Sequence, residues 1–217
     1  MLIASNPSAD QRTRAVKALP VAKDPLKRAM DITVAGGALL FFAPLLALVA
    51  VLIKLESPGP VLFRQSRGGL NGQSFTIFKF RSMRCQENGA KVVQAKRDDD
   101  RITALGRIIR KTSIDELPQL FNVLKGDMSI IGPRPHALAH DEQYGALIAN
   151  YHLRFRARPG LTGLAQIKGL RGGTNAVEAM AARIDADNEY IERWTLGGDI
   201  KILLMTVPHL LMAENAY

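Results

Sequence analysis

Between Ile32 and Ile53 the chain runs for 22 residues without a charge, in a protein that elsewhere carries 29 Lys/Arg and 20 Asp/Glu. A run of that length has two homes, a buried core or a lipid bilayer. As one straight helix it reaches about 33 Å, close to the hydrocarbon thickness of a bilayer. A spanning helix is the simplest reading. Pro44 argues against it, because a mid-helix proline removes a backbone hydrogen bond and bends the axis. It divides the run into arms of 12 and 10 residues. Each arm is about half a bilayer long. Charge points the same way. Residues 1–31 hold six Lys/Arg and residues 54–84 hold six, so the positive-inside rule prefers neither flank. A helix that dips in and returns on the same face satisfies both flanks. A spanning helix that tolerates Pro44 is the alternative.

The leader before this run is too long for a secretory signal, and Lys54-Leu-Glu-Ser-Pro58 has no small-residue cleavage pattern. The net charge of +9 raises nucleic acid as a partner. Aromatics are only 6% of the residues, and no RNA-binding, zinc-finger, P-loop or G-x-G-x-x-G pattern occurs, so no nucleic-acid partner is expected. Cys85 stands alone, which excludes an intrachain disulfide, and four scattered histidines do not make a structural zinc site.

Three stretches follow: a flexible basic arm over 1–24, the membrane helix over 25–55, and a polar, basic body over 56–217. In the body, Val61-Leu-Phe63 and Phe75 to Phe80 read as strands of a hairpin around Gly68-Gly69 and Asn71-Gly72. Residues 86–100 read as a solvated loop, and Leu105 to Lys111 as a short basic amphipathic helix. Leu117, Leu120, Phe121 and Leu124 make an i, i+3, i+4, i+7 stripe closed by Gly126. Glu178 to Trp194 predicts a polar helix. Asp199 to Met212 predicts an amphipathic helix suited to a membrane surface. The fold class expected is α+β: short strands in a small helix-rich domain with interfacial helices.

The densest chemistry lies in Arg110-Lys-Thr-Ser-Ile-Asp-Glu-Leu-Pro118. Ser113-x-x-Glu116 matches a capping box, so Asp115 and Glu116 have an ordinary structural explanation at a helix start. The functional reading is that the two carboxylates meet a divalent cation and a phosphate, with Arg110 neutralising charge. Arg134, between two prolines, is held extended and suits a phosphate oxygen, or is a plain loop arginine. Arg154, Arg156 and Arg158 alternate, which predicts one cationic strand face. His136 and His140 are spaced i, i+4, but read more simply as surface residues.

Six ordered motifs carry a resemblance: Lys27-Arg-Ala-Met-Asp31, Gly59-Pro-Val-Leu-Phe-Arg-Gln65, Phe78-Lys-Phe-Arg-Ser-Met83, Asp115 to Met128, Gly132-Pro-Arg-Pro135 and Arg158-Pro-Gly-Leu-Thr-Gly163. Together they resemble the bacterial sugar transferase family, the monotopic polyprenyl-phosphate phosphoglycosyl transferases, over about Lys27 to Leu211. Gly169-Leu-Arg-Gly-Gly173 is similar to the members that initiate exopolysaccharide repeats. The resemblance implies a re-entrant helix kinked at Pro44 and a catalytic domain on the cytoplasmic face of the bacterial inner membrane. Members often have Ser-Pro at the break, where this chain has Ala43-Pro44.

The resemblance also implies the site and the reaction. Asp115 and Glu116 are the catalytic pair and the Mg²⁺ ligands, with Lys79, Arg110, Arg134 and Arg158 binding substrate. Asp115 attacks a UDP-hexose, UMP leaves, and undecaprenyl (polyprenyl) phosphate takes the sugar phosphate from the aspartyl intermediate. The partners expected are UDP-sugar, polyprenyl phosphate, membrane lipids and downstream glycosyltransferases. A membrane-anchored scaffold of the same fold without turnover is the alternative. The sugar is left open between glucose, galactose and an N-acetyl sugar.

Overall fold

The computed structural model describes residues 19–84, 99–170 and 176–212. The chain before Leu19, the polar stretch that starts at Cys85, and Arg171 to Gly173 of the closing glycine motif lie outside them.

The end of the stretch expected as a flexible arm is helical. Pro20–Lys23 forms a short helix, α1, whose Val21 and Ala22 are buried. The Leu19 N–H donates to the Arg156 carbonyl. Two apolar side chains at the end of the polar leader are enough to tie residues 19–24 to the body.

Helix α2, Pro25–Glu56, is the apolar run extended at both ends. The Asp24 side chain accepts from the Lys27 N–H at 2.9 Å, and Pro25 occupies the first turn, where its missing N–H costs nothing. Pro44 lies inside this single helix rather than between two. One proline removes one donor, and neighbouring bonds carry the helix past it. The two halves of α2 pack differently. Ala35 is buried in the main core with Val34, Ala38 and Leu39 against it, whereas Val49 and Ile53 are buried in a separate cluster with Phe80 and Ile109. Between them Leu40 and Phe41 are 80% and 77% exposed.

The predicted hairpin is present, with strands longer than expected. β1 (Leu62–Gly68) pairs antiparallel with β2 (Ser74–Phe80), Leu62 opposite Phe80 and Gly68 opposite Ser74. Asn71 and Gly72 take positive φ in the turn. Helix α3, Ala104–Lys111, is capped by the Thr103 side chain, which accepts from the Gly106 N–H. Gly106 rests so close to the Ser82 carbonyl that a Cβ would collide with it. A 3₁₀ turn, Ile114–Glu116, follows, and then α4, Gln119–Lys125, which ends at Gly126 with φ 91°. Only part of the predicted apolar stripe is core: Leu120 is buried, while Phe121 and Leu124 are exposed.

β3 (Ser129–Ile131) pairs in parallel with β4 (Gly160–Thr162). Between them lie α5 (Leu138–Leu147) and a 3₁₀ segment, Tyr151–Arg156. The arginine face predicted for 154–158 is therefore absent, because a 3₁₀ turn sends successive side chains in different directions. Arg154 is buried, Arg156 pairs with Glu192, and Arg158 reaches the Gly126 and Ala22 carbonyls. Short α6 (Leu164–Ile167), α7 (Val177–Glu192) and α8 (Leu196–Met212) complete the fold. The main core joins Ala35 of α2, Ile77 of β2, Val123 of α4, Ile131 of β3, Ile191 of α7 and Ile202 of α8.

A buried polar clasp fastens the start of α2 to this core. Lys27 Nζ donates to Asp199 at 2.8 Å and to the Ile131 carbonyl at 3.1 Å. Asp199 also accepts from Tyr190 and Trp194, and Asp31 accepts from Ser129 Oγ and the Ile130 N–H. Each buried charge thus has several partners, the condition under which such groups are tolerated.

Candidate active site

Asp115 and Glu116 are each 7% exposed, in the 3₁₀ turn between α3 and α4. Ser113 enters that turn with φ 59°, a left-handed conformation that costs a non-glycine residue about 1 kcal/mol. It makes no side-chain cap. The capping-box explanation is therefore overturned. Two cations from elsewhere in the fold instead hold the Glu116 carboxylate.

Lys79 of β2 donates to Glu116 Oε1 at 2.8 Å. Arg134 donates Nη2 to the same oxygen at 2.6 Å and Nη1 to Oε2 at 3.2 Å. Strand alternation explains Lys79: its neighbours Phe78 and Phe80 point to the opposite face of the hairpin. Burial draws the Lys79 ammonium below its ordinary pKa, with Glu116 opposing. Glu116 raises that of Arg134 above its ordinary value. Charge holds this cluster together, with little water to screen it.

Two of the expected site residues stand apart from these ion pairs. Arg110 is half-buried at the end of α3, with its Nε buried and unpartnered, and it forms no ion pair among the described residues. The Arg158 guanidinium is committed to main-chain carbonyls of Gly126 and Ala22.

Behind Arg134 lies a second charged layer that sequence reasoning missed. Arg154 is buried and donates to the Arg134 carbonyl, to Asp187 at 3.1 Å and to His136 Nδ1 at 2.7 Å. Tyr151 donates to Asp141 at 2.7 Å, and Arg67 to the Pro135 carbonyl at 3.2 Å. The Pro-Arg-Pro loop is thus gripped through the adjacent carbonyls of Arg134 and Pro135. His136, read from sequence as a surface residue, is buried here. Burial, then Arg154, holds its pKa well below 6.5, so Nδ1 accepts and the imidazole is neutral. Burial pushes the Asp187 carboxyl up to about 6 against the pull of Arg154. A signal existed: Met180, Arg183, Ile184, Asp187 and Ile191 follow one helical stripe, which marks Arg183 and Asp187 as inward-facing.

The donor set fits a hard cation. Mg²⁺ takes one or two carboxylates beside phosphate oxygens, and Asp115 and Glu116 are adjacent carboxylates on one turn. Among the described residues no group of three or more His, Cys, Asp or Glu forms a complete protein cage.

The family described as bacterial sugar transferase matches residues 22–213. The UDP-glucose:undecaprenyl-phosphate glucose-1-phosphate transferase of Caulobacter vibrioides is 60% identical over 197 residues, covering 91% of this chain and 74% of that protein. The Escherichia coli protein of the same name is 52% identical over 182 residues, covering 84% of this chain but only 39% of its own length. An Aeromonas hydrophila UDP-N-acetylgalactosamine-undecaprenyl-phosphate N-acetylgalactosaminephosphotransferase is 45% identical over 192 residues, covering 88% of this chain and 45% of that protein. With nearly the whole described chain matched, from the α1 helix to the end of α8, the protein belongs to the bacterial sugar transferase family.

Proposed function

We propose that this chain is a phosphoglycosyl transferase that moves a sugar 1-phosphate from a UDP-hexose to undecaprenyl phosphate, starting exopolysaccharide or another glycan. The observation that carries this is the buried Asp115-Glu116 pair with Lys79 and Arg134 both ion-paired to Glu116. On this reading the acids do different work. Asp115 Oδ attacks the sugar-bearing phosphorus, the bond to the bridging oxygen breaks, and UMP leaves with that oxygen. An oxygen of the lipid phosphate then attacks the same phosphorus and frees Asp115. Both reactants are anionic, so splitting the transfer avoids bringing them together. Arg134 and Lys79 fix Glu116 and lend positive potential to the diphosphate. Mg²⁺, held by Asp115 and Glu116, would neutralise charge building on the diphosphate oxygens. Arg110 would add to the positive field, whereas Arg158, committed to the Gly126 and Ala22 carbonyls, would support the fold around the site. The polyprenyl diphosphate sugar so formed is the substrate that downstream glycosyltransferases would extend.

Glucose is the first sugar to test, because the Caulobacter and Escherichia coli relatives are named for it. UMP release from a panel of UDP-sugars, with Mg²⁺ and undecaprenyl phosphate, tests the reading. No release with any sugar would favour the non-catalytic scaffold.

The body would sit on the cytoplasmic face, with α2 dipping in and returning. Supporting this, α2 is the one described helix long and apolar enough to cross a membrane, with 11% of its apolar window buried. Its early and late halves nonetheless both pack on the same body. A straight span would carry one half away to the far side.

A further inference from the structure

The hairpin and α4 enclose a groove of about 480 Å³ that the proposed reaction leaves unused, lined by Leu62, Arg64, Phe78, Phe121, Leu124 and Lys125. Its floor is apolar and its rim is cationic. The Arg64 guanidinium carbon and Lys125 Nζ each lie 5.7 Å from the centre of the Phe78 ring. Arg64 makes no ion pair among the described residues, while Lys125 pairs with Asp127 at 2.9 Å in an exposed position. Phe121 is 49% exposed, unusual for an aromatic on a helix whose Leu120 and Val123 are buried.

Two contacts place this groove beside the apolar helix. Arg28, four residues before the uncharged run, donates to the Val123 and Leu124 carbonyls at 2.6 and 2.8 Å. Leu62, on the other wall, packs against the cluster that Val49 and Ile53 of the late half of α2 form with Phe80 and Ile109. One wall is therefore tied to each half of α2. The uncharged run of α2 begins at Ile32, one turn after Arg28, so this end of the helix lies toward the level of lipid phosphates for a membrane-inserted helix. Lys125 follows directly on the residues Arg28 holds.

We propose that the groove binds one anionic phospholipid of the bilayer, its phosphate on Arg64 and Lys125 and the upper part of an acyl chain along Phe78, Phe121 and Leu124. The occupant must be anionic at one end and apolar at the other, because the groove is cationic at its rim and apolar within. A soluble anion would leave Phe121 and Leu124 wet, and a neutral lipid would leave Arg64 without a counter-charge. The site rests on the membrane reading of α2 but not on the chemistry at Asp115.

The test uses the full chain in vesicles, with Phe121→Trp as reporter and the unsubstituted protein as blank for Trp194. Phosphatidylglycerol and phosphatidylcholine, each brominated on the acyl chain, are compared at the same mole fraction. The expected result is quenching several-fold stronger with phosphatidylglycerol, with the preference lost in R64Q/K125Q and kept in Arg64→Lys. Both positions are exposed, so the fold survives the change. Equal quenching by the two lipids overturns the proposal. So does loss of phosphatidylglycerol quenching on adding a few mole per cent of undecaprenyl phosphate, which would assign the groove to the acceptor. Failure of the unsubstituted protein to enter any vesicle would instead overturn the membrane reading of α2.

Discussion

Arg134 holds Glu116 in a fork, one nitrogen on each carboxylate oxygen at 2.6 and 3.2 Å. A forked pair sets the plane of the carboxylate as well as its distance, which a single ammonium does not. Arg134→Lys keeps the charge and loses the fork, so kcat for UMP release should fall about 10-fold or more. An initial-rate series with Arg134→Lys and Arg134→Gln checks this. If the lysine variant stays within about twofold of wild type, the role is charge alone.

The two acids should separate cleanly. In-line attack requires the nucleophilic oxygen placed to within about 0.5 Å, so Asp115→Glu and Asp115→Asn should both abolish a covalent phosphosugar adduct. Glu116→Gln should slow turnover about 10²-fold and weaken the Mg²⁺ dependence while leaving adduct formation detectable. Intact-mass spectrometry with UDP-sugar and no lipid acceptor reads both. An adduct that survives Asp115→Asn would reverse the assignment.

Arg158 is expected to matter for folding more than for substrate. Its hydrogen bonds tie the α4 terminus to α1 through main-chain carbonyls. Arg158→Ala should lower stability by about 1–2 kcal/mol with KM for UDP-sugar unchanged. A large rise in KM at unchanged melting temperature would restore the substrate-binding role implied by the family resemblance.

Asp187 should give the reaction an acid limb. Its carboxyl is raised to about 6, and protonation there removes the nearer of the two ion-pair partners of Arg154, which grips the Arg134 backbone. Activity should decline as pH falls through about 6. Asp187→Asn should lower the plateau about 10-fold and erase that limb. The stability effect has the opposite sign. A carboxyl whose folded value lies above its ordinary 3.8 opposes folding at neutral pH, and that penalty fades as pH falls from above 6 to below 3.8. A pH–rate profile beside pH-dependent melting curves separates the two.

For the topology, single cysteines at Lys23 and Glu56, in a Cys85→Ser background, should both resist membrane-impermeant thiol reagents added outside intact cells. Labelling of the first alone would mean that α2 spans. Pro44→Ala, which restores the missing N–H, should shift α2 toward a span.

Much of this protein could be read locally. The charge-free run, Asp24 and Pro25 at its start, the hairpin turn at Asn71-Gly72 and the stop at Gly126 are each properties of a few adjacent residues, so they were legible before any contact was known. Six ordered motifs identified the family, and the Asp115-Glu116 pair stood out by its spacing. What the carboxylates touch was not legible. Ser113-x-x-Glu116 has the spacing of a capping box, and only the arrival of Lys79 from β2 and Arg134 from the loop after β3 decides that Glu116 faces elsewhere. Those partners lie 37 and 18 residues away in the chain. The same holds for Arg154, read as one of three surface arginines until a 3₁₀ segment buries it against Asp187, and for Lys27, whose partner Asp199 is 172 residues distant. Helix caps and turns depend on neighbours in sequence, which the amino-acid order displays. A buried charge finds its partner only when separate elements meet, so packing alone decided which acids and bases share a site.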